Sequence, residues 1–204
     1  MKSRVGHLIA VLLALLTGAG WLSAQEGRSA ALKGEPKLSL EVARTPDFGG
    51  RQHGGPLAQG AWLVVNLQFQ LDGKGKWLDG LEVTYRVMVT GRDRTADRRL
   101  LLERTVTYAD VELGRRCNTA VYVRPSFFLR HFNGRPDPRR VSCHVEIRHN
   151  GRRLGTVRQN GHGVPEDWYK TRGKFDGDAL MLKRETPFAF LDYDYFLYEI
   201  VDQS

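Results

Sequence analysis

Ala61-Trp62-Leu63-Val64-Val65-Asn66-Leu67-Gln68-Phe69-Gln70-Leu71 decides the class of fold. Leu63, Val65, Leu67, Phe69 and Leu71 share one parity and are uniformly apolar. Trp62, Val64, Asn66, Gln68 and Gln70 fall on the other. Successive side chains of a strand point to opposite faces, so this alternation predicts a strand with the first set on the core. After a turn at Asp72-Gly73-Lys74-Gly75, the run Leu81, Val83, Tyr85, Val87, Val89 repeats the pattern without a break. Two such strands predict a sheet with one wet face.

Working outward, Lys37 to Arg44 alternates with Leu38, Leu40 and Val42 on one side, and Arg99–Tyr108 and Thr119–Arg124 read as further strands. Val141 to His149 places Val141, Cys143, Val145 and Ile147 inward and Ser142, His144, Glu146 and Arg148 outward. Asn150-Gly151 is a favoured hairpin dipeptide, returning the chain through Leu154, Thr156 and Arg158. Pro125 opens a stretch with Phe128, Leu129 and Phe132 at helical spacing, which predicts one short crossing helix. Pro165-Glu166-Asp167-Trp168-Tyr169 could open a helical turn. The expectation is therefore an all-β, immunoglobulin-like β-sandwich with one or two short helices.

The N-terminus settles the compartment. Lys2 and Arg4 precede the uncharged apolar run Leu8–Leu16, and Leu22-Ser23-Ala24 supplies small residues for cleavage. This is the three-part pattern of a secretory signal, so residues 1–24 read as a signal peptide, 25–36 as a flexible leader and 37–204 as one sandwich domain. A retained anchor is the competing reading, against which the apolar run is short for a bilayer span. The expected location is periplasmic or secreted. With no second long apolar run, the chain is not expected to be an integral membrane protein.

Charge excludes little and suggests less. The chain carries 31 basic and 23 acidic residues, and loss of the signal would leave a net charge of +6. Arginine doublets such as Arg115-Arg116, Arg139-Arg140 and Arg152-Arg153 sit at strand ends and turns, where they read as solvated rims. A nucleic-acid surface would concentrate them on one element among stacking aromatics, so no nucleic-acid partner is expected.

Chemistry is sparse. Cys117 and Cys143 both take inward parity, and in an oxidising compartment two inward cysteines on neighbouring strands are expected to form a disulfide. His53, His131, His144, His149 and His162 follow no zinc or calcium spacing, and Asp192 and Asp194 share a parity that could hold a cation, although two exposed aspartates on a strand usually just face water. Neither a nucleophile elbow nor a phosphate-cradling glycine loop is present in the sequence, so no catalytic residue, metal or cofactor is assigned and the protein is not expected to be an enzyme. The aromatic C-terminal run through Phe188, Phe190, Tyr193, Tyr195, Phe196 and Tyr198 is too apolar to be left wholly in water.

Several segments, taken in order, resemble a known family. These are the Asp47-Phe48-Gly49-Gly50 loop before Ala61-Trp62-Leu63-Val64-Val65, then Trp77-Leu78-Asp79-Gly80-Leu81-Glu82-Val83-Thr84-Tyr85 and Thr105-Val106-Thr107-Tyr108. Val121-Tyr122-Val123-Arg124-Pro125, Val145-Glu146-Ile147-Arg148-His149-Asn150-Gly151 and Lys183-Arg184-Glu185-Thr186-Pro187-Phe188-Ala189 follow. The pattern is similar to verrucomicrobial immunoglobulin-like proteins associated with type IV pilus genes. That resemblance implies a sandwich, an envelope location and a supporting part in pilus machinery. It departs at Trp168-Tyr169, where a paired tryptophan is expected, and after Ala189, where proline is replaced by a tyrosine-rich run.

Two functions follow as expectations. One is an interaction module whose partners are envelope or pilus-assembly proteins, with Trp168, Tyr169, Tyr193 and Tyr195 as candidate contact residues. The alternative is a glycan-binding module using Trp62, Trp77, Trp168 and the tyrosine-rich tail as stacking platforms, which requires those aromatics to be exposed.

Overall fold

The computed structural model describes residues 30–47, 60–91, 99–132, 134–170, 177–192 and 194–200. The signal peptide expected over residues 1–24, the Asp47-Phe48-Gly49-Gly50 loop beyond Asp47, His53 and Tyr193 lie outside them.

The predicted strands assemble into two stacked sheets. One contains β1 (Ala31–Leu32), β2 (Lys37–Arg44), β3 (Ala61–Asp72), β8 (Arg116–Val123) and β11 (Leu180–Leu182). In it β3 is flanked by β8 on one side and by β2 and β1, end to end, on the other. The second sheet runs β10 (Arg152–Gln159), β9 (Val141–His149), β5 (Leu81–Thr90), β6 (Arg99–Ala109), β12 (Tyr198–Glu199). All pairings are antiparallel. A small ribbon of β4 (Trp77–Leu78) and β7 (Val111–Glu112) closes one end.

Alternation explains the core directly. Leu63, Val65, Leu67, Phe69 and Leu71 of β3 meet Leu81, Val83, Tyr85, Val87 and Val89 of β5 between the sheets, none more than 4 % exposed. A polar bridge joins the sheets at the centre of this interior: the Tyr85 hydroxyl lies 2.5 Å from Thr119 Oγ1 on the opposite sheet. Burial pushes the Tyr85 phenol well above its ordinary range, so it stays neutral and costs the core no charge. The expected helix is present as α1 (Pro125–Phe132), but Pro125, Phe127 and Phe128 are its buried residues and Leu129 is exposed. The Asn150-Gly151 turn has φ of 50° and 72°, the doubly positive pair that a tight hairpin requires.

Three expectations need correction. Residues 30–36 are not a flexible leader: Ala30 is buried and Ala31–Leu32 pairs with Asp72–Leu71. The outer faces of both sheets are also drier than alternation predicts, because later chain folds over them. Finally, β8 and β9 are successive strands but belong to opposite sheets, and Cys117 and Cys143 are separate free thiols, not a disulfide. Inward parity fixes the face of each cysteine but not its height along the sandwich, and a bond needs Cβ atoms within about 4.5 Å.

Burial pushes the Cys117 thiol up to about 11 and that of Cys143 higher still. Alkylation proceeds through the thiolate, so both should resist iodoacetamide at neutral pH in the native protein. Mass spectrometry should find both modified once the chain is denatured without reductant. A denatured, unreduced chain that takes up no label would show that the two are joined after all.

Candidate functional site

Each sheet carries a cover of aromatic residues on its outer face, and the two covers differ. On the second sheet, residues 160–170 return across β9. Gly161 N donates to Ser142 Oγ at 2.8 Å, and His162 N to Arg139 O at 3.0 Å. A Cβ at Gly161 would stand 3.0 Å from Val141 O, a tight contact that favours glycine at this close approach. Trp168 is buried, its Nε1 donating to Asn160 Oδ1 at 3.2 Å. Tyr169 stacks on His144 with centroids 4.0 Å apart and planes 8° from parallel. His144, expected to face water, is 5 % exposed with no hydrogen-bond partner for Nδ1 among the described residues. Desolvation lowers its pKa, aided by Arg86.

On the first sheet the cover is the C-terminal segment. Phe188 wedges between Trp62, edge-on at 5.7 Å, and Tyr122, stacked at 5.0 Å. That contact buries the outward parity of β3 at Trp62 and Val64. Thr186 Oγ1 donates to Lys183 O at 2.7 Å and accepts from Phe188 N at 3.2 Å, which fixes the turn. Lys183 is itself buried. Its ammonium donates to Leu191 O and lies 4.7 Å from the Phe196 ring centroid, and desolvation lowers its pKa. Further on, Asn118 Nδ2 donates to Tyr195 O at 3.3 Å, Leu197 N to Asn118 O at 3.0 Å, and β12 pairs with the end of β6. Arg104, at inward parity on β6, ties the two sheets by donating to Leu180 O and Glu185 at 3.1 and 2.6 Å.

This segment buries its anchor and shows the rest. Phe190 is 84 % exposed, Tyr198 63 % and Tyr195 55 %, with Leu191 and Ile200 beside them. Of the eight exposed large hydrophobic side chains among the described residues, five lie between Phe190 and Ile200, so the apolar surface is concentrated in one segment. Between the segment and β2 lies a groove of about 540 Å³, floored by Asn66, Gln68 and Asn118.

The candidate contact residues therefore part company. Tyr195 is exposed in this segment, Trp168 is buried, and Tyr169 is half-covered against His144. Trp62 and Trp168 are both buried, which removes two of the tryptophan platforms the glycan alternative required, and Trp77, 42 % exposed, lies on the β4–β7 ribbon with the Lys76 ammonium over its ring. Phe190 and Tyr198 are exposed aromatic residues that the sequence did not single out as contact candidates. The signal was the apolar run itself, but nothing in it separates the anchor Phe188 from its exposed neighbours.

No group of three or more His, Cys, Asp or Glu side chains converges among the described residues, and Asp192 and Asp194 are both exposed. Among the described residues no helix is long and apolar enough to cross a membrane.

Comparison with known proteins agrees with this architecture. No curated protein matches the chain. A crystal structure of a protein from Akkermansia muciniphila superposes with a TM-score of 0.68 at 21 % identity, covering 88 % of this chain and 97 % of that one. At that identity the likeness concerns the fold. A family model matches residues 24–203, all of the sandwich and the segment that covers it. The chain belongs to the family this model defines, and its β-sandwich is one that a verrucomicrobial protein shares.

Proposed function

We propose that this chain is a non-catalytic interaction protein of the bacterial envelope that supports type IV pilus machinery through protein–protein contacts. The observation that carries the reading is the exposed aromatic run from Phe190 to Ile200, held on a rigid sheet by the buried Phe188 and Lys183. Large apolar side chains grouped on a surface mark contact sites, and tyrosine and phenylalanine are favoured there because they supply area at little entropic cost. The export signal read from residues 1–24 supports the envelope setting, and the resemblance of the Glu185-Thr186-Pro187-Phe188-Ala189 region to pilus-associated proteins supports the pilus.

A photo-crosslinking residue at Tyr195, in cells assembling pili, should yield adducts with pilus or pilus-assembly proteins. Phe190→Ser combined with Tyr198→Ser should abolish them while leaving the melting temperature unchanged, since both side chains are exposed. Equal adducts from the distant hairpin position Arg152, or adducts that survive the double substitution, would remove the segment as the docking surface.

A further inference from the structure

The geometry points to a second binding site, a groove for a short neutral oligosaccharide on the outer face of the sheet formed by β2, β3 and β8. Its floor comes from the sheet and one wall from Leu191, Asp192, Tyr195 and Phe196, whereas Phe190 and Tyr198 are not among its lining residues. Register sets the chemistry of the floor. Lys37, Gln68 and Asn118 lie in one row across the three strands, Ser39, Asn66 and Ala120 in the next, and Glu41, Val64 and Tyr122 in the third. The groove therefore grades from carboxamides at one end to an apolar end closed by Tyr122 and Phe188.

Three features select the ligand. The central floor strand β3 spends its backbone groups on β2 and β8, so recognition over the floor falls to side chains, while the outer edge of β2 pairs with no strand among the described residues. The side chains on offer are neutral forks. Gln68 Nε2 donates to Asn118 Oδ1 at 2.9 Å, which holds the pair in place and leaves the Gln68 carbonyl facing no described donor. The Asn66 carboxamide has no hydrogen-bond partner among the described residues, so donor and acceptor are both free. A carboxamide presenting both matches adjacent hydroxyls, each of which gives and takes a hydrogen bond.

Charge is balanced and largely engaged. Lys37 and Lys183 face Glu41 and Asp192, Lys183 is held by Leu191 O, and Glu41 accepts from Ser39 Oγ at 3.1 Å. Such a lining has no field to favour an ion. At the rim Tyr195 offers an exposed ring, suited to the apolar face of a pyranose. The volume of about 540 Å³ falls within the roughly 300–1,000 Å³ of small-ligand sites.

Saturation-transfer NMR on the whole protein, with N,N′-diacetylchitobiose and with cellobiose at millimolar concentration, tests the site. At least one disaccharide should receive transfer at its ring protons. Asn66→Leu, or the nearly isosteric Asn66→Asp, should weaken binding about tenfold with an unchanged melting curve. The Phe190→Ser, Tyr198→Ser double variant should bind the sugar normally, which separates this site from the docking surface. No transfer to either sugar, equal binding by both Asn66 variants, or transfer to a tetra-alanine peptide in their place would overturn the proposal.

Discussion

Ending the chain after Glu185 should leave a protein that aggregates instead of folding, with a loss of roughly 5 kcal/mol before aggregation sets in. Phe188 loses its place between Trp62 and Tyr122, and those two rings with Val64 return to water. Full burial of one such side chain contributes about 1.5–3 kcal/mol, so the anchor and the half-buried Phe196 and Leu197 together reach that sum. Lys183 would also lose its carbonyl acceptor and its ring, and its ammonium would return to water. The exposed members of the segment add nothing to this total: Phe190 is 84 % exposed and Tyr195 55 %. Denaturant unfolding of refolded, truncated protein is the measurement. A soluble variant with the parent's midpoint would mean that the segment rests on the sheet without stabilising it, and would recast it as a strand held for a partner.

That asymmetry within one aromatic run shows where the sequence stops being informative. Period-two alternation identified β2, β3, β5 and β9 nearly to the residue, because facing the core is a local property of a strand. What covers the other face is not local. Trp62 and Val64 sit on the parity that should be wet and are dry because Phe188, more than a hundred residues later, lies on them. His144 is buried by Tyr169 for the same reason. The cysteines fail differently, since parity gives each its face while the crossover through α1 carries β9 to the other sheet. Of the candidate site, the carboxamides Asn66 and Gln68 were visible as outward residues. Their row with Asn118 depends on the β3–β8 register, which no single strand encodes.

Trp168→Ala should cost about 3 kcal/mol at neutral pH and, in addition, weaken the protein's sensitivity to acid. The first effect follows from burial: the indole is 4 % exposed and packs edge-on against Tyr169 at 6.1 Å, which in turn covers His144. The second follows from linkage. His144 is registered between Arg86 of β5 and Arg158 of β10, with Arg153 also near, Lys170 over the Tyr169 ring, and Glu146 on its own strand acting the other way. Desolvation comes first among the causes that lower its pKa, so the folded protein binds this proton less readily than the unfolded chain does. Above the unfolded value of about 6.5 both states are neutral and nothing changes. As pH falls below it, the unfolded chain protonates first and stability drops, until the folded pKa is passed and the loss becomes constant. Removing Trp168 frees Tyr169 to leave the imidazole, which returns His144 toward its ordinary range and shrinks that loss. Glu199, raised by its own burial, titrates with the opposite sign and is common to both proteins, so it cancels in their difference. Urea unfolding of parent and variant at neutral pH and at about pH 5 gives the comparison, with the gap between them expected to narrow in acid. A gap that stays constant would show that the Trp168–Tyr169 cover is not what keeps His144 from its proton.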